Sequence, residues 1–300
     1  MKQSLKIYRI IIWLKLSLLV MILSISSWSC TEKINIELDN TYTRLVVWGE
    51  LTTDTTVHTV RLTRTADYFF NQPTFGVSDA LVTINDGENT ITLFENAQIE
   101  GTYQTPSDYY GIPGKTYTLD ISGVDIDGDG TSENYSASSR LRNVNPVDSI
   151  QLVYNEMWEA WEVKVFAWDS PDKDWYLFKV YRNNVLVSDT LTEWLAQTDD
   201  LFNGNYTNGI TSQFLQDEYE DERPDVGDTV TFEINGITEE FYNFVIGMQM
   251  EIMFSAPLFS GPPANVSTNL TNDALGFFAV YSAERASAIV TEDPYVKRIK

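Results

Sequence analysis

Residues 79–94 read DALVTINDGENTITLF. Apolar and polar side chains alternate on both sides of the centre, and a period of two sends successive side chains to opposite faces of a strand. Asn85, Asp86 and Gly87 sit between the two runs. These residue types adopt positive φ at low cost, so the stretch predicts an antiparallel hairpin. Upstream, RLVVWGEL (44–51) and VHTVRLTRT (57–65) are rich in β-branched and aromatic residues, with TTDTT (52–56) as the turn between them. Downstream, GTYQTP (101–106), KTYTLDISG (115–123) and NYSASSR (134–140) recur at the spacing of a β-sandwich, roughly eight to twelve residues. The predicted inward set is Val82, Ile84, Leu93, Tyr103, Tyr117, Leu119 and Ile121.

NVNPVDS (143–149) breaks this pattern, which places a domain boundary near Pro146. Strand signals then restart with SIQLVYN (149–155). WEVKVFAW puts Trp161, Val163, Val165 and Ala167 on one face, against Glu162, Lys164, Phe166 and Trp168 on the other. DWYLFKVYRNNVLVSDTL (174–191) predicts a second hairpin turning at Asn183-Asn184, and GDTVTFEI (227–234) a strand beyond a polar, loop-like stretch. Phe241, Phe244, Val245, Met248 and Ile252 instead follow helical spacing, with Thr238 as cap and Glu239 and Glu240 suited to the positive end of the dipole. Three prolines make SAPLFSGPPANV (255–266) extended. The expected fold is therefore mainly β: two consecutive β-sandwich domains of Ig/FN3-like type, residues 44–145 and 146–300, with one helix at 239–253 in the second.

Ahead of the strands, Lys2, Lys6, Arg9 and Lys15 form a basic segment, followed by an apolar run from Leu16 to Ile25. That run is too short to span a bilayer and reads as the core of a secretory signal, residues 1–29. It ends on Ser27, Trp28 and Ser29, directly before Cys30, the sole cysteine of the chain. One cysteine cannot close an intramolecular disulfide, and this context matches a bacterial lipobox, with Ser27 where leucine is usual. Cys30 is thus the expected lipid attachment point and residues 30–43 a polar tether. One acyl chain holds a protein only marginally, and several hold it stably. Loss of the four basic leader residues takes the formal net charge from −23 to −27. A chain this acidic repels nucleic acid and anionic lipid, which excludes both as partners. With 43% apolar and 13% aromatic residues it still has the means to bury a core.

Several ordered segments resemble Bacteroidota outer-membrane lipoproteins classed as domain of unknown function four-two-four-nine. They are LVVWGELTTD (45–54), VRLTRTADYF (60–69), VSDALVTIND (77–86), GKTYTLDISG (114–123), GDTVTFEINGITEEFYNF (227–244) and PLFSGPPANVSTNLTNDALGFFAVYS (257–282), together with Cys30. The resemblance implies an outer-membrane lipoprotein often encoded near TonB-dependent transporters, with no catalytic residues to carry over. The DIDGDG segment (125–130) is not part of that pattern.

Asp125, Asp127 and Asp129 alternate ahead of Gly130, like the first half of a calcium loop, with Glu133 at the ninth position and Ser136 where a bidentate glutamate is usual. The same residues favour a tight Asp/Gly turn. Trp158, Trp161, Trp168, Trp175 and Tyr176 are candidates for a sugar-stacking platform, and Tyr68, Phe69 and Phe70 for a second contact patch. DEYEDERPDVGD (217–228) is either a solvated loop or a dock for a basic partner. His58 is the only histidine, so His/Cys metal cages and Cys-His nucleophile pairs are excluded, and neither a G-x-S-x-G elbow nor a phosphate-binding glycine loop is present. The expectation is a non-catalytic accessory or binding lipoprotein of an outer-membrane TonB-dependent transport or assembly complex. It has no cofactor beyond a structural Ca2+ at the Asp-rich loop. The alternative is a surface carbohydrate-binding or carbohydrate-processing lipoprotein that uses Trp158, Trp168 and Trp175.

Overall fold

Residues 43–65, 74–220, 222–253 and 266–291, with Trp13 and Lys15 besides, are described by a computed structural model. The rest of the leader, Cys30, most of the tether and Tyr68 to Phe70 lie outside the described residues. Among the described residues, eight strands precede Pro146: β1 (Leu45–Thr52), β2 (Thr59–Arg64), β3 (Leu81–Asn85), β4 (Thr90–Thr92), β5 (Phe94–Glu95), β6 (Thr102–Gln104), β7 (Thr116–Val124) and β8 (Glu133–Arg140). Eight follow it: β9 (Val147–Asn155), β10 (Ala160–Ala167), β11 (Trp175–Arg182), β12 (Val185–Leu186), β13 (Leu195–Thr198), β14 (Ile210–Gln216), β15 (Thr229–Ile237) and, after helix α1 (Glu239–Met253), β16 (Leu275–Ile289). The fold is mainly β, and these elements lie in one folded unit, Tyr42–Lys300.

Both predicted hairpins form. β3 and β4 pair antiparallel with Asn85 opposite Thr90, and Gly87 takes φ 91° in the turn. Asn183 and Asn184 both have positive φ (51° and 67°) and join β11 to β12. The first apolar core lies between the sheet β4-β3-β7-β8 and the run β16-β1-β2-β6-β5 of a larger sheet. Leu45, Val47, Val60 and Leu62 meet the whole predicted inward set there. A second core lies between β14-β10-β9 and the other part of the large sheet, where Trp161, Val163 and Val165 meet Tyr176, Phe178 and Phe232. Each such side chain contributes about 1.5–3 kcal/mol when fully buried. The stretch read as polar and loop-like holds β13 and β14. Their mixed composition gives little alternation, and pairing to β11 and β10 recruits them as strands.

Pro146 lies where the chain passes from the first pair of sheets to the second. The large sheet nevertheless joins the two parts through β16. Leu275 to Tyr281 pair in parallel with β1, and Ser282 to Ile289 pair antiparallel with β15. The run Phe277 to Ser282 is buried without alternation because both faces of β16 are covered there. Phe278 and Val280 point into the first core, whereas Phe277, Ala279 and Tyr281 pack under α1. Beyond Ser282 the burial alternates again, and Ala286 and Ala288 turn to the second core.

Helix α1 buries Phe241, Phe244 and Val245 against β11, β16 and Trp48. Ile252, placed on the same face by spacing, is 48% exposed, so the seam ends before the last turn. The Thr238 hydroxyl accepts the Phe241 N–H at 3.2 Å, the predicted cap. Thr238→Ala should cost about 1 kcal/mol. Urea denaturation checks this value, and an unchanged midpoint would mean that the cap contributes nothing. No helix among the described residues is long and apolar enough to cross a membrane.

Candidate functional site

An open groove of about 450 Å3 lies beside β2 and the turn between β5 and β6. That is within the size range of ligand pockets, roughly 300–1,000 Å3. Its apolar members, Phe75 and Ile99, are 65% and 53% exposed. The Arg61 guanidinium donates to the Glu100 carbonyl at 2.5 Å and to the Thr102 hydroxyl at 2.7 Å, which pins the polar wall. A Cβ on Gly76 would stand 2.2 Å from the Glu100 carbonyl oxygen, so glycine is what lets the two backbones meet at the groove base. Sequence reasoning did not single out Arg61, Phe75 or Ile99. The available signal was the Phe75-Gly76 pair, a few residues beyond the aromatic triplet at Tyr68.

The tryptophans do not make one platform. Trp158 is exposed in the turn before β10, Trp168 is exposed just beyond its far end, and Trp161 between them is buried. An eight-residue strand spans about 26 Å, too far for one sugar to bridge. Trp168 instead pairs with Tyr206 at 5.2 Å between ring centroids. Trp175 is half-buried, with Arg142 and Lys173 over its ring at 5.3 and 5.5 Å. Tyr176 belongs to the second core. The cleft beneath Trp168 has a volume of about 20 Å3, with Asn145, Asp169, Tyr176 and Phe202 in its wall. A cavity of that volume holds about one water molecule.

Asp125, Asp127 and Asp129 bring carboxylate oxygens within 4.8 Å of one another. Asp125 accepts the N–H groups of Gly128 (2.8 Å) and Gly130 (2.9 Å), and Asp129 accepts that of Thr131 (2.6 Å). Glu133 turns away from this group and accepts the Ile126 N–H at 3.2 Å. These bonds close the turn from β7 to β8. In the acidic 217–228 loop, Asp228 pairs with Arg182 at 2.8 Å and Glu222 accepts the Gln216 N–H at 2.9 Å, so part of its charge holds the loop together. His58 is buried: Nδ1 accepts the Thr52 N–H and Nε2–H donates to the Asp54 carbonyl at 3.1 Å. Burial pushes its pKa down and keeps the ring neutral.

Residues 31–287 match the family described as Domain of unknown function (DUF4249). The chain belongs to this family. No curated protein matches it. The DUF4249 match takes in the charged network where β16 passes from β1 to β15. Glu233, on β15, is 2% exposed. It accepts Arg285 at 2.6 Å and the Tyr181 hydroxyl at 3.2 Å. Arg285 also reaches both oxygens of Asp54 at 2.8 and 2.6 Å, a bidentate pair. On the helix side, Glu50 accepts the Trp48 indole N–H at 3.0 Å and the Tyr281 hydroxyl, and Lys179 donates to Tyr281 at 3.1 Å. Burial, with Glu50 beside it, pushes the Tyr281 pKa well up, so this hydroxyl is a donor throughout the physiological range. These contacts tie β1, β11, β15 and β16 together at one point.

Proposed function

We propose that this DUF4249 protein is a non-catalytic lipoprotein of a Bacteroidota outer membrane, held there by acyl chains on Cys30 and acting as the accessory or binding subunit of a TonB-dependent transport or assembly complex. The observation that carries this reading is the open groove with exposed Phe75 and Ile99, set on paired strands that cannot deform cheaply. Rigid scaffolds with recognition surfaces at their loops are the usual arrangement for binding modules. We read the scaffold as two successive Ig/FN3-like sandwiches, supported by two separate apolar cores, each between facing sheets. Anchoring raises the effective concentration of the groove beside a membrane partner, so a weak interface suffices. The competing carbohydrate reading rests on the exposed Trp168, paired with the half-buried Tyr206.

A photo-crosslinking phenylalanine analogue at position 75, activated in intact cells, tests the partner. An adduct with an outer-membrane β-barrel is expected. Absence of any barrel adduct, combined with glycan-array binding that Trp168→Ala abolishes, would replace this reading by the carbohydrate one. Cys30→Ser should release the protein from membranes and end labelling by a palmitate analogue. Persistent membrane association would refute the anchor.

A further inference from the structure

Three aspartates that carry no part of the groove converge on the opposite side of Pro146. Asp169 follows β10, Asp174 precedes β11 and Asp199 follows β13, and their side chains bring oxygens within 4.8 Å of one another. All three are buried, at 9%, 7% and 0% exposure. Asp169 accepts the Tyr176 hydroxyl through one oxygen and the Gly204 N–H at 3.1 Å through the other. Asp174 accepts Arg142 at 2.5 Å and the Ser170 hydroxyl at 2.5 Å. Asp199 accepts the Asp174 N–H at 2.8 Å through Oδ2, but its Oδ1 has no hydrogen-bond partner. Among the described residues, Arg142 is the one cation bonded to these carboxylates, and Lys173 is turned toward Asp200 at 4.0 Å.

A buried carboxylate oxygen without a donor is costly, and so is net negative charge away from water. A proton shared among these carboxylates would neutralise one charge, whereas a divalent cation neutralises two and gives Asp199 Oδ1 a partner. Carboxylate, hydroxyl and carbonyl oxygens select hard ions, and a dry cluster favours the ion that sheds its water most readily. Calcium accepts irregular oxygen shells, whereas magnesium keeps several waters in a strict octahedron. The adjoining cleft has room for about one water.

We propose that Asp169, Asp174 and Asp199 form a calcium-binding site in which the free oxygen of Asp199 is a ligand and which clamps the β10–β11 loop to the β13–β14 loop. The Asp125 loop is a second acidic cluster and has to be removed from the measurement. Full-length protein in detergent, carrying Asp125→Asn, Asp127→Asn and Asp129→Asn together, is stripped with chelator and titrated with calcium by calorimetry and thermal melting. One equivalent should bind and raise Tm by about 5–10 °C at a hundredfold excess over Kd. Adding Asp199→Asn should weaken calcium at least about tenfold. If that variant does not fold, Asp169→Asn in the same background is read in its place. No binding at millimolar calcium in the loop variant, or calcium affinity unchanged by the cluster substitution, would overturn the site.

Discussion

Arg285→Met should destabilise the protein by about 3–5 kcal/mol, the usual result of leaving a buried charge without its partner. The arginine itself is half-exposed and its pair with Asp54 lies near the surface, so that pair alone is worth little. The loss comes from Glu233, whose side chain is 3% exposed and whose only cationic contact among the described residues is Arg285. Methionine fills similar volume but leaves this carboxylate with the Tyr181 hydroxyl alone. Adding Glu233→Gln should return much of the stability, because it removes the charge that lost its partner. Urea denaturation of the single and double variants decides the point. A double variant no more stable than Arg285→Met would show that packing, not charge, is what arginine supplies.

The same pair predicts part of the acid limb. Hydrogen bonding to Arg285 holds the Asp54 carboxyl below its ordinary value of 3.8. The folded chain therefore takes up this proton at a lower pH than the unfolded chain does. The stabilisation is complete above about pH 4 and is lost as pH falls through the depressed value. Arg285→Met should flatten that part of the stability curve.

Gly276→Ala should cost about 3–5 kcal/mol, although it adds a single methyl group. Gly276 has φ +95°, and a Cβ there would lie 1.9 Å from the Val47 carbonyl oxygen. That oxygen belongs to β1, paired with β16 in parallel at this position. Relief requires the two strands to part where the two portions of the large sheet are joined. Gly87 supplies the control: its φ is +91°, but nothing lies within 4 Å of a Cβ there. Gly87→Ala should carry only the backbone strain, about 1–2 kcal/mol. Hydrogen exchange should localise the Gly276→Ala damage to β1 and β16. Uniform loss across all strands, or equal costs for the two glycines, would contradict this account.

Strands, hairpins and the inward residues of the first core were legible because each depends on near neighbours in the chain. Alternation, turn residues with low-cost positive φ and an N-cap are decided within about ten residues, so Val82, Gly87, Asn183 and Thr238 announced their roles. Ile252 did not follow its spacing, because a helix face is buried only as far as its partner extends. β13 and β14 escaped notice because edge strands draw on backbone pairing more than on pattern. The Phe277 to Ser282 run did hold a signal, an apolar stretch without alternation, but nothing local says which two surfaces will cover it.

What residue order determined by itself was therefore a mainly β chain with a capped helix and a break in the strand pattern near Pro146. Only the tertiary structure decided that β16 returns to pair with β1 and β15, that Trp158 and Trp168 stand at opposite ends of one strand, and that Asp169, Asp174 and Asp199 share a buried point. The reason is physical. Local preferences act through fixed bond geometry over a few residues, whereas β16 meets β1 across more than 200 residues of chain and Asp199 meets Asp169 across 30. These contacts exist only once two cores have closed and brought their edges together.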